Sequence, residues 1–232
     1  MDCLIETNYI VWNDFNTKEN GILIEQLNIP PKAEERKDLI TIEGRDGYLT
    51  INRGAYNHIS YEVQLNARNR ESITEIKRHF KGSGKLLLSC CPDVTYSATI
   101  VSSYEFERVM GERRICVITF ELQPLAYVND VSTIEITTNT TLVNYYNANA
   151  YPRMRVYGSG SGNVYINGKT IQLTSISSYV DLDSELEICY KGSSSKNHNM
   201  VGDFPVLVEG NNTITFDGSI SKIHINPCWR TL

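Results

Sequence analysis

The first half of the chain alternates between apolar and polar side chains with a period of two, which is the pattern of half-buried β-strands. The segments VTYSATIVSSYEFERV and ERRICVITFEL predict two strands joined near 110–111, and both are rich in the β-branched and aromatic residues that fit a pleated surface. HISYEVQL predicts another strand, with four apolar side chains on one face: Ile59, Tyr61, Val63 and Leu65.

A polar stretch interrupts this pattern near the N-terminus. GILIEQL and DLITIEG read as strands, and they flank the segment NIPPKAEERK. The polar segment has too few apolar residues to bury against its own domain. The sequence therefore predicts an extended hairpin or arm over about residues 21–47.

One segment, RESITEIKRHF, has the period of a helix and predicts a helix over about 70–81. Ile73, Ile76 and Phe80 fall on one face. Ser72 and Glu75 form a capping-box pattern at its start, and Gly82 stands where a left-handed C-cap is expected.

The glycine turn after this helix, GSGK, resembles the end of a phosphate-binding loop but fails its template. If Gly84 and Lys85 ended such a loop, its first glycine would be residue 79, which is His79, and the hydroxyl position is Leu86. The predicted order is also helix, turn, strand, and the C-terminal end of a helix dipole repels phosphate. GSGK is therefore interpreted as a helix stop rather than a nucleotide site.

The second half differs in composition. It has 16 charged residues among 105, is rich in Ser, Thr, Asn and Gly, and shows no helical period. NVYINGKTIQL predicts a hairpin with Asn167 and Gly168 as its turn, and short strands follow in SYVDLDSELEICY, FPVLV, NTITF and SKIHINP. A boundary at 123–130 divides the chain into a β-rich first domain, 1–127, and a β-sandwich, 128–232.

Charge and cysteine content restrict the possible partners. The formal charge of −5 is spread evenly over 232 residues, so neither half is basic enough to favour nucleic acid or an anionic membrane. The N-terminus lacks the features of a signal peptide, and no apolar run reaches spanning length. The six cysteines are therefore expected to be reduced thiols of a protein made in a cytoplasm.

Two groups of residues have types and spacings that metal sites use. His224 and Cys228 have a spacing that could ligate zinc, but no second pair completes a tetrahedral set. Asp181, Asp183 and Glu185 alternate along a predicted strand, where they are expected to share one solvent face rather than converge on calcium.

Other motifs also favour ordinary structural roles. Cys90 and Cys91 read as thiols at a strand end, and GSGSG at 158–162 places glycine where a hydrolase needs its serine. Basic residues surround the predicted helix, but Glu71 and Glu75 interleave with them, so a solvated helix face is expected. The basic residues are Arg68, Arg70, Lys77, Arg78, Lys81 and Lys85. The prediction is a protein that is not an enzyme, with no catalytic, cofactor or metal residues and with unknown binding residues.

The motifs in combination resemble one family. The run NGILIEQLNIPPKAEERKDLITIEGRDGYL, the helix followed by GSGKLLLS, and the C-terminal GDFPVLVEGNNTITF ending in PCWRTL are similar to segments of the distal tail proteins of long-tailed phages (siphophages), in their short form. Glu43 before Gly44 departs from the pattern, where a proline or small residue is expected. The resemblance covers nearly the whole chain.

The resemblance implies a mainly β fold, with an N-terminal domain that forms a six-membered ring and a galectin-like or carbohydrate-module-like C-terminal sandwich. It implies a virion protein of the tail tip or baseplate, made in the host cytoplasm, with no cofactor and no membrane contact. Such a hub would join the tail tube to the tail-associated lysin or fibre protein and to receptor-binding components, and DNA would only pass through its channel.

An alternative function is a carbohydrate-binding module for host-wall glycans, and a glycosidase is a weaker third reading. Sugar sites use exposed aromatic rings, but tyrosines on strands are more often core or surface filler. The second half supplies seven candidate rings: Tyr145, Tyr146, Tyr151, Tyr157, Tyr165, Tyr179 and Tyr190.

Overall fold

The computed structural model describes residues 8–232. Within them, strands dominate and α1 (Arg70–His79) is the one α-helix, which confirms the predicted mainly β fold. Contacts divide the chain into two compact units. Residues up to Asn129 form the first unit together with Leu232, and Asp130–Thr231 form the second.

The first unit has antiparallel strands and one apolar core. The strands are β1 (Ile10–Trp12), β2 (Phe15–Asn16), β3 (Glu35–Thr41), β4 (Tyr48–Tyr56), β5 (Ile59–Ala67), β6 (Ser83–Leu88), β7 (Cys91–Ile100), β8 (Glu107–Met110), β9 (Arg113–Leu122) and β10 (Ala126–Val128). In the main sheet the order is β2-β1-β6-β7-β10, and β9 pairs with β5, β7 and β8. Trp12, Phe80 and Phe120 are the largest fully buried side chains of this core.

Several local predictions for this unit are confirmed. Strand β5 alternates buried and exposed side chains along its length. The order of helix, turn and strand also holds, because Gly82 has a φ of 71° after α1 and the rest of GSGK lies in β6. Gly84 has a packing reason: a Cβ there would lie 1.9 Å from Oδ1 of Asn13, the atom that accepts a hydrogen bond from the Lys85 amide.

The caps of α1 differ in part from the prediction. The N-cap is Asn69, whose Oδ1 accepts hydrogen bonds from the amide and hydroxyl of Ser72, so Ser72 lies inside the first turn and is not the cap. At the other end, Trp12 donates to the His79 carbonyl and Tyr104 donates to the carbonyl of Phe80. These bonds satisfy carbonyls that a helix end leaves without partners.

The predicted arm over 21–47 is wrong in its position. Ile22 and Ile24 are buried in the core of the first unit, and Leu23 forms an isolated bridge with Asn66, so GILIEQL lies against its own unit. The hairpin is formed by β3 and β4, which among residues 8–232 pair only with each other, and its tip is the IEGRDG segment. We call this β3–β4 hairpin, residues 35–56, the arm.

The second unit is built around one long hairpin. Its two strands, Arg153–Ile166 and Lys169–Asp183, pair over nearly their whole length. They join at the predicted Asn-Gly turn, where Asn167 and Gly168 have φ values of 52° and 79°. The strands are β11 (Ile134–Ile136), β12 (Thr140–Asn144), β13 (Arg153–Ile166), β14 (Lys169–Asp183), β15 (Ile188–Lys191), β16 (Ser194–Ser195), β17 (Met200–Val201), β18 (Gly210–Phe216), β19 (Ile220–Asn226) and β20 (Arg230–Thr231).

The long hairpin is shared by two halves of the sheet. One half has the order β11-β19-β13-β14-β15, and in the other half β18 joins β12 to β13. Val156 from the first half and Val164 from the second belong to the same buried cluster, as in a sandwich. The FPVLV segment, predicted as a strand, makes only an isolated bridge between Leu207 and Ala150.

The segment 158–162, GSGSG, lies inside β13, where this strand passes from pairing with β19 to pairing with β18. The β13–β14 register shifts between Gly160 and Gly162. The chain before β19 approaches so closely that a Cβ on Gly158 would lie 2.4 Å from the Ser219 carbonyl oxygen. A Cβ on Gly162 would lie 2.6 Å from the Asp217 carbonyl oxygen. Glycine is needed here for this close approach.

The division between the units falls after Asn129, two residues beyond the predicted end at 127. The segment 123–130, expected as a linker, contains strand β10, which pairs with Val94 and Thr95 of β7. Asn129 continues these contacts through hydrogen bonds to the Thr95 hydroxyl and the Pro92 carbonyl. That the two units fold independently stays a prediction.

Candidate functional site

A polar groove lies on the outer face of the first half of the second-unit sheet. Its volume is about 300 Å³. Because directly paired residues of antiparallel strands share a face, one row of side chains crosses five strands here. The row is Glu135, His224, Arg155, Asp181 and Tyr190, from β11, β19, β13, β14 and β15. Arg153 and Asn226, which are paired with each other, also line the groove.

Two buried carboxylates hold the arginines of the groove. Arg155 donates to both carboxylate oxygens of Asp181, from Nε at 2.6 Å and from Nη2 at 2.9 Å. The Nε of Arg153 lies 2.9 Å from Asp183. Asp181 and Asp183 are only 7% and 5% exposed, so their charges must be paired. The hydrogen bonds that Arg155 donates to Asp181 are the main reason why the pKa of Arg155 is raised.

This geometry corrects the prediction that Asp181, Asp183 and Glu185 share a solvent face. Only Glu185 is exposed. The Asp183 carboxylate also accepts hydrogen bonds from the amides of Glu185 and Leu186, so β14 ends in a turn at this point. Arginines on the neighbouring strand, about thirty residues away in sequence, cover the two aspartates.

A hydrogen-bonded group closes one end of the row. The Glu135 carboxylate accepts from the Lys222 ammonium at 2.7 Å and lies 2.7 Å from Nε2 of His224. These contacts, first that of Lys222, lower the pKa of Glu135. Tyr157 contacts Nδ1 of His224 at 3.4 Å, so both ring nitrogens of this histidine face polar atoms.

The tyrosines proposed as sugar-stacking rings have different surroundings. Arg155 lies over the ring of Tyr179 at 4.4 Å, and Lys222 lies over Tyr157 at 5.2 Å. Arg230 covers Tyr151 at 4.3 Å, and the Tyr165 hydroxyl donates to Asp217.

Three of these rings have no such contact among residues 8–232, and one of them, Tyr146, is half-buried on the turn after β12. Tyr145 is 86% exposed on the turn after β12. Tyr190 is half-buried in the groove, and among residues 8–232 no ring or cation stacks on it and no group hydrogen-bonds its hydroxyl.

His224 and Cys228, whose spacing in the sequence could suit zinc, face different groups. His224 faces Glu135 and Tyr157, whereas the Cys228 thiol faces the Asn226 side chain at 3.6 Å. In the part of the chain that the structure describes, no group of three or more His, Cys, Asp or Glu side chains could hold a metal ion.

The cysteines of the described residues are free thiols, and Cys3 lies outside them. The Sγ atoms of Cys90 and Cys91 are 3.8 Å apart at the β6–β7 turn. Burial, followed by the contact with Cys91, raises the pKa of Cys90 to about 11, so this thiol is less reactive than an ordinary cysteine.

The basic residues around α1 form an ordinary helix surface. Arg78 and His79 both contact Glu75, at 2.9 and 3.3 Å, and Lys77 lies over the Phe106 ring. Across residues 8–232, no helix is long and apolar enough to cross a membrane.

The arm is the second candidate, because it exposes apolar side chains on both of its faces. Ile40 and Leu49 form a directly paired couple on one face, with Ile51 beside them, and each is 40–43% exposed. The other face carries Leu39 and Tyr48, which are 60% and 67% exposed. A two-stranded hairpin is marginally stable alone, so this surface fits a contact with another chain.

Comparison with solved structures gives a likeness that extends over nearly the whole chain. No protein-family model matches the chain, and no curated protein sequence matches it significantly. Among solved structures, the fold is similar to that of the Dit (gp 19.1) protein of SPP1, described as a paradigm of the hub of the adsorption apparatus in phages that infect Gram-positive bacteria. The TM-score is 0.77 at 14% sequence identity, over 98% of this chain and 100% of that chain. The chain therefore has the fold of a phage tail hub protein.

Proposed function

We propose that the chain is a structural component of a phage tail tip or baseplate and acts there as a hub. The fold likeness to SPP1 Dit, which extends over essentially both whole chains, carries this proposal. At this identity the likeness establishes the fold, so the role is an inference from it. The protein that the chain resembles is described as a hub, and we propose a structural, non-enzymatic role here.

The hub is assembled from several copies of the chain through the arm. A ring requires a heterologous interface, in which one patch meets a different patch on the neighbouring copy. The arm supplies such a patch, because its two apolar faces are not covered by its own unit. We propose a hexamer, as the family resemblance implies, with the ring contacts in the first unit.

The remaining parts of the proposal follow from the resemblance. The ring would join the tail tube to the tail-associated lysin or fibre protein and to receptor-binding components, and DNA would pass through its channel. The second unit would be a galectin-like domain that folds independently of the first. The protein would be made in the host cytoplasm and reside in the virion.

The assembly can be tested by light scattering after size exclusion over a concentration series. Burying a large aliphatic side chain contributes about 1.5–3 kcal/mol, and Ile40 and Leu49 each retain 43% exposure. Covering both would contribute about 1.5–2.5 kcal/mol per interface. The double variant Ile40→Thr/Leu49→Thr is therefore expected to need about 10- to 60-fold more protein to assemble.

Val117→Thr is the matched control, since Val117 is also 43% exposed but lies on β9, outside the arm. It should leave the assembly unchanged. A full-length chain that stays monomeric at every concentration would remove the support for self-assembly. Assembly that the double variant does not weaken would place the contacts elsewhere.

The groove that contains Tyr190 is the one structural feature that favours the alternative function, recognition of host-wall glycans.

A further inference from the structure

The turn between β6 and β7 carries two adjacent cysteines for which the proposed hub function has no use. Leu88 pairs with Cys91 across the two strands, so Ser89 and Cys90 form the turn. The Sγ atoms of Cys90 and Cys91 are 3.8 Å apart, and both residues are half-buried. The two thiols therefore lie on the same side of the turn, close to contact and within reach of a small molecule.

We propose that Cys90 and Cys91 form a dithiol site that binds a trivalent arsenical, RAs(OH)₂, through both sulfur atoms. Two S–H bonds and two As–OH bonds break, two S–As bonds form, and two water molecules leave. Arsenic stays trivalent and the sulfur atoms are not oxidised, so the reaction needs no oxidant or reductant. The proposal goes beyond the hub function and does not depend on it, because assembly is assigned to the arm.

The first support is the position of the two sulfur atoms. After one S–As bond has formed, the second thiol attacks the same arsenic atom as an intramolecular neighbour, at a high effective concentration. The turn is also held in place, since the Ser89 amide donates to the Tyr9 carbonyl and the Tyr9 amide donates to the Ser89 hydroxyl. Binding therefore orders little of the chain that is not already ordered.

The donor atoms around the pair favour a centre that needs only two sulfur ligands. A structural zinc ion takes four ligands, and within residues 8–232 no group of three or more His, Cys, Asp or Glu side chains could supply such a set. The Cys90 thiol contacts the Asn28 carbonyl oxygen at 3.5 Å, and the same oxygen accepts the Tyr61 hydroxyl at 2.6 Å. Such oxygen atoms suit hard cations, whereas a soft centre selects the thiols. An RAs group has two positions left beside its carbon substituent, and the two cysteines fill them.

The protonation of the pair distinguishes the arsenical from a metal ion. Burial, followed by the hydrogen bond with Cys91, raises the pKa of Cys90 to about 11. A metal ion requires thiolates, so it must displace protons that this site holds firmly. The arsenical takes neutral thiols and releases water, with no net change in bound protons. The raised pKa of Cys90 therefore opposes metal binding and leaves the equilibrium with the arsenical unchanged.

The test is native mass spectrometry of the reduced full-length chain with one equivalent of phenylarsine oxide, which reacts in water as PhAs(OH)₂. We expect one arsenical on each folded chain. The monothiol 2-mercaptoethanol should displace it poorly, whereas the dithiol 2,3-dimercaptopropanol should remove it. The reason is that only a second chelating dithiol can replace both S–As bonds within one molecule.

Four variants locate the site. Cys90→Ser and Cys91→Ser keep the size of the side chain and leave one thiol, so 2-mercaptoethanol should displace the arsenical at a concentration lower by about 100-fold or more. Cys228→Ser is the matched control, because Cys228 is also half-buried but its thiol faces the Asn226 side chain. Cys228→Ser and Cys3→Ser should both bind the arsenical as the original chain does.

Four outcomes would overturn the proposal. They are a folded chain that takes up no arsenical, an adduct that resists 2-mercaptoethanol equally in Cys90→Ser and Cys91→Ser, an adduct that is lost in either control variant, and displacement of the arsenical by an equal concentration of zinc ions. The last result would mean that the site has further ligands and selects a metal ion. None of these outcomes bears on self-assembly, so the site and the hub function stand or fail separately.

Discussion

Gly158 is the position where alanine tests most directly why the segment 158–162 is rich in glycine. A Cβ at this residue would lie 2.4 Å from the carbonyl oxygen of Ser219 and 3.1 Å from its carbonyl carbon. These are backbone atoms, so the clash cannot be relieved by a side-chain rotation. Gly158 is not in the left-handed region of backbone conformation, and the cost of Gly158→Ala is therefore steric.

The size of the stability loss in Gly158→Ala follows from the backbone atoms that must move apart to make room for the Cβ. Overpacking a well-packed interior costs typically about 1–3 kcal/mol. Separating β13 from the chain before β19 also weakens the hydrogen bond from the Ser159 amide to the Ser219 carbonyl, now 3.3 Å, which adds about 1 kcal/mol. We expect a loss of about 2–4 kcal/mol in the local opening free energy. This corresponds to amide exchange that is about 30- to 1000-fold faster.

Hydrogen exchange read by mass spectrometry on the full-length chain measures this loss segment by segment. Peptides that cover β13 and β19 should exchange faster in Gly158→Ala, and peptides from β5 and β9 serve as the internal reference. Gly111→Ala is the control, because Gly111 has a φ of 59° but open space around its Cβ position. It should cost about 1–2 kcal/mol of backbone strain, confined to β8 and β9.

The result that would refute the reasoning is less than threefold faster exchange of β13 and β19 in Gly158→Ala. The close approach would then not be what requires glycine at this position.

Three further predictions concern the thiols and the division of the chain into two units. All six thiols should titrate as free in denaturant under thiol-blocking conditions, and two or more native disulfides would contradict this. Burial raises the pKa of Cys116 from 9.0 to about 12, so the unfolded state ionises first and stability should fall as the pH rises from about 9 toward 12. Cys116→Ala should flatten that fall in urea unfolding, and an equal fall in both proteins would contradict the assignment. Limited proteolysis should separate the units into fragments of about 14 and 12 kDa, cut after β10 rather than within it, and a single resistant core would refute independent folding.

The parts of the fold that the sequence predicts well depend on neighbours in sequence. The alternation of β5, the helical period of α1 and the Asn167-Gly168 turn each express a local rule, and the structure confirms all three. The local pattern does not decide which residue caps the helix. Asn69 and Ser72 are both good capping residues, and the backbone conformation determines which of them is used.

The position of the arm could not be predicted because tertiary contacts override the local pattern. GILIEQL has the composition of a strand, but the burial of Ile22 and Ile24 fixes it to the first unit. The polar residues 34–38 then begin the arm instead of forming its tip. The alternation of apolar and polar residues predicts both GILIEQL and DLITIEG as strands. It does not show which of the two packs into the core and which belongs to the arm.

The groove shows the same limitation for the site. Its central row joins residues from five strands spread over residues 135–224, and only the strand order and register bring them together. The sequence predicts that Asp181 and Asp183 are solvated, because alternation indicates which face a side chain takes and not what covers that face. Burying two carboxylates is costly and stabilises the fold little when arginines are their partners. The two aspartates beside an uncovered tyrosine are therefore better explained by a surface that must hold its arginines in place than by stability.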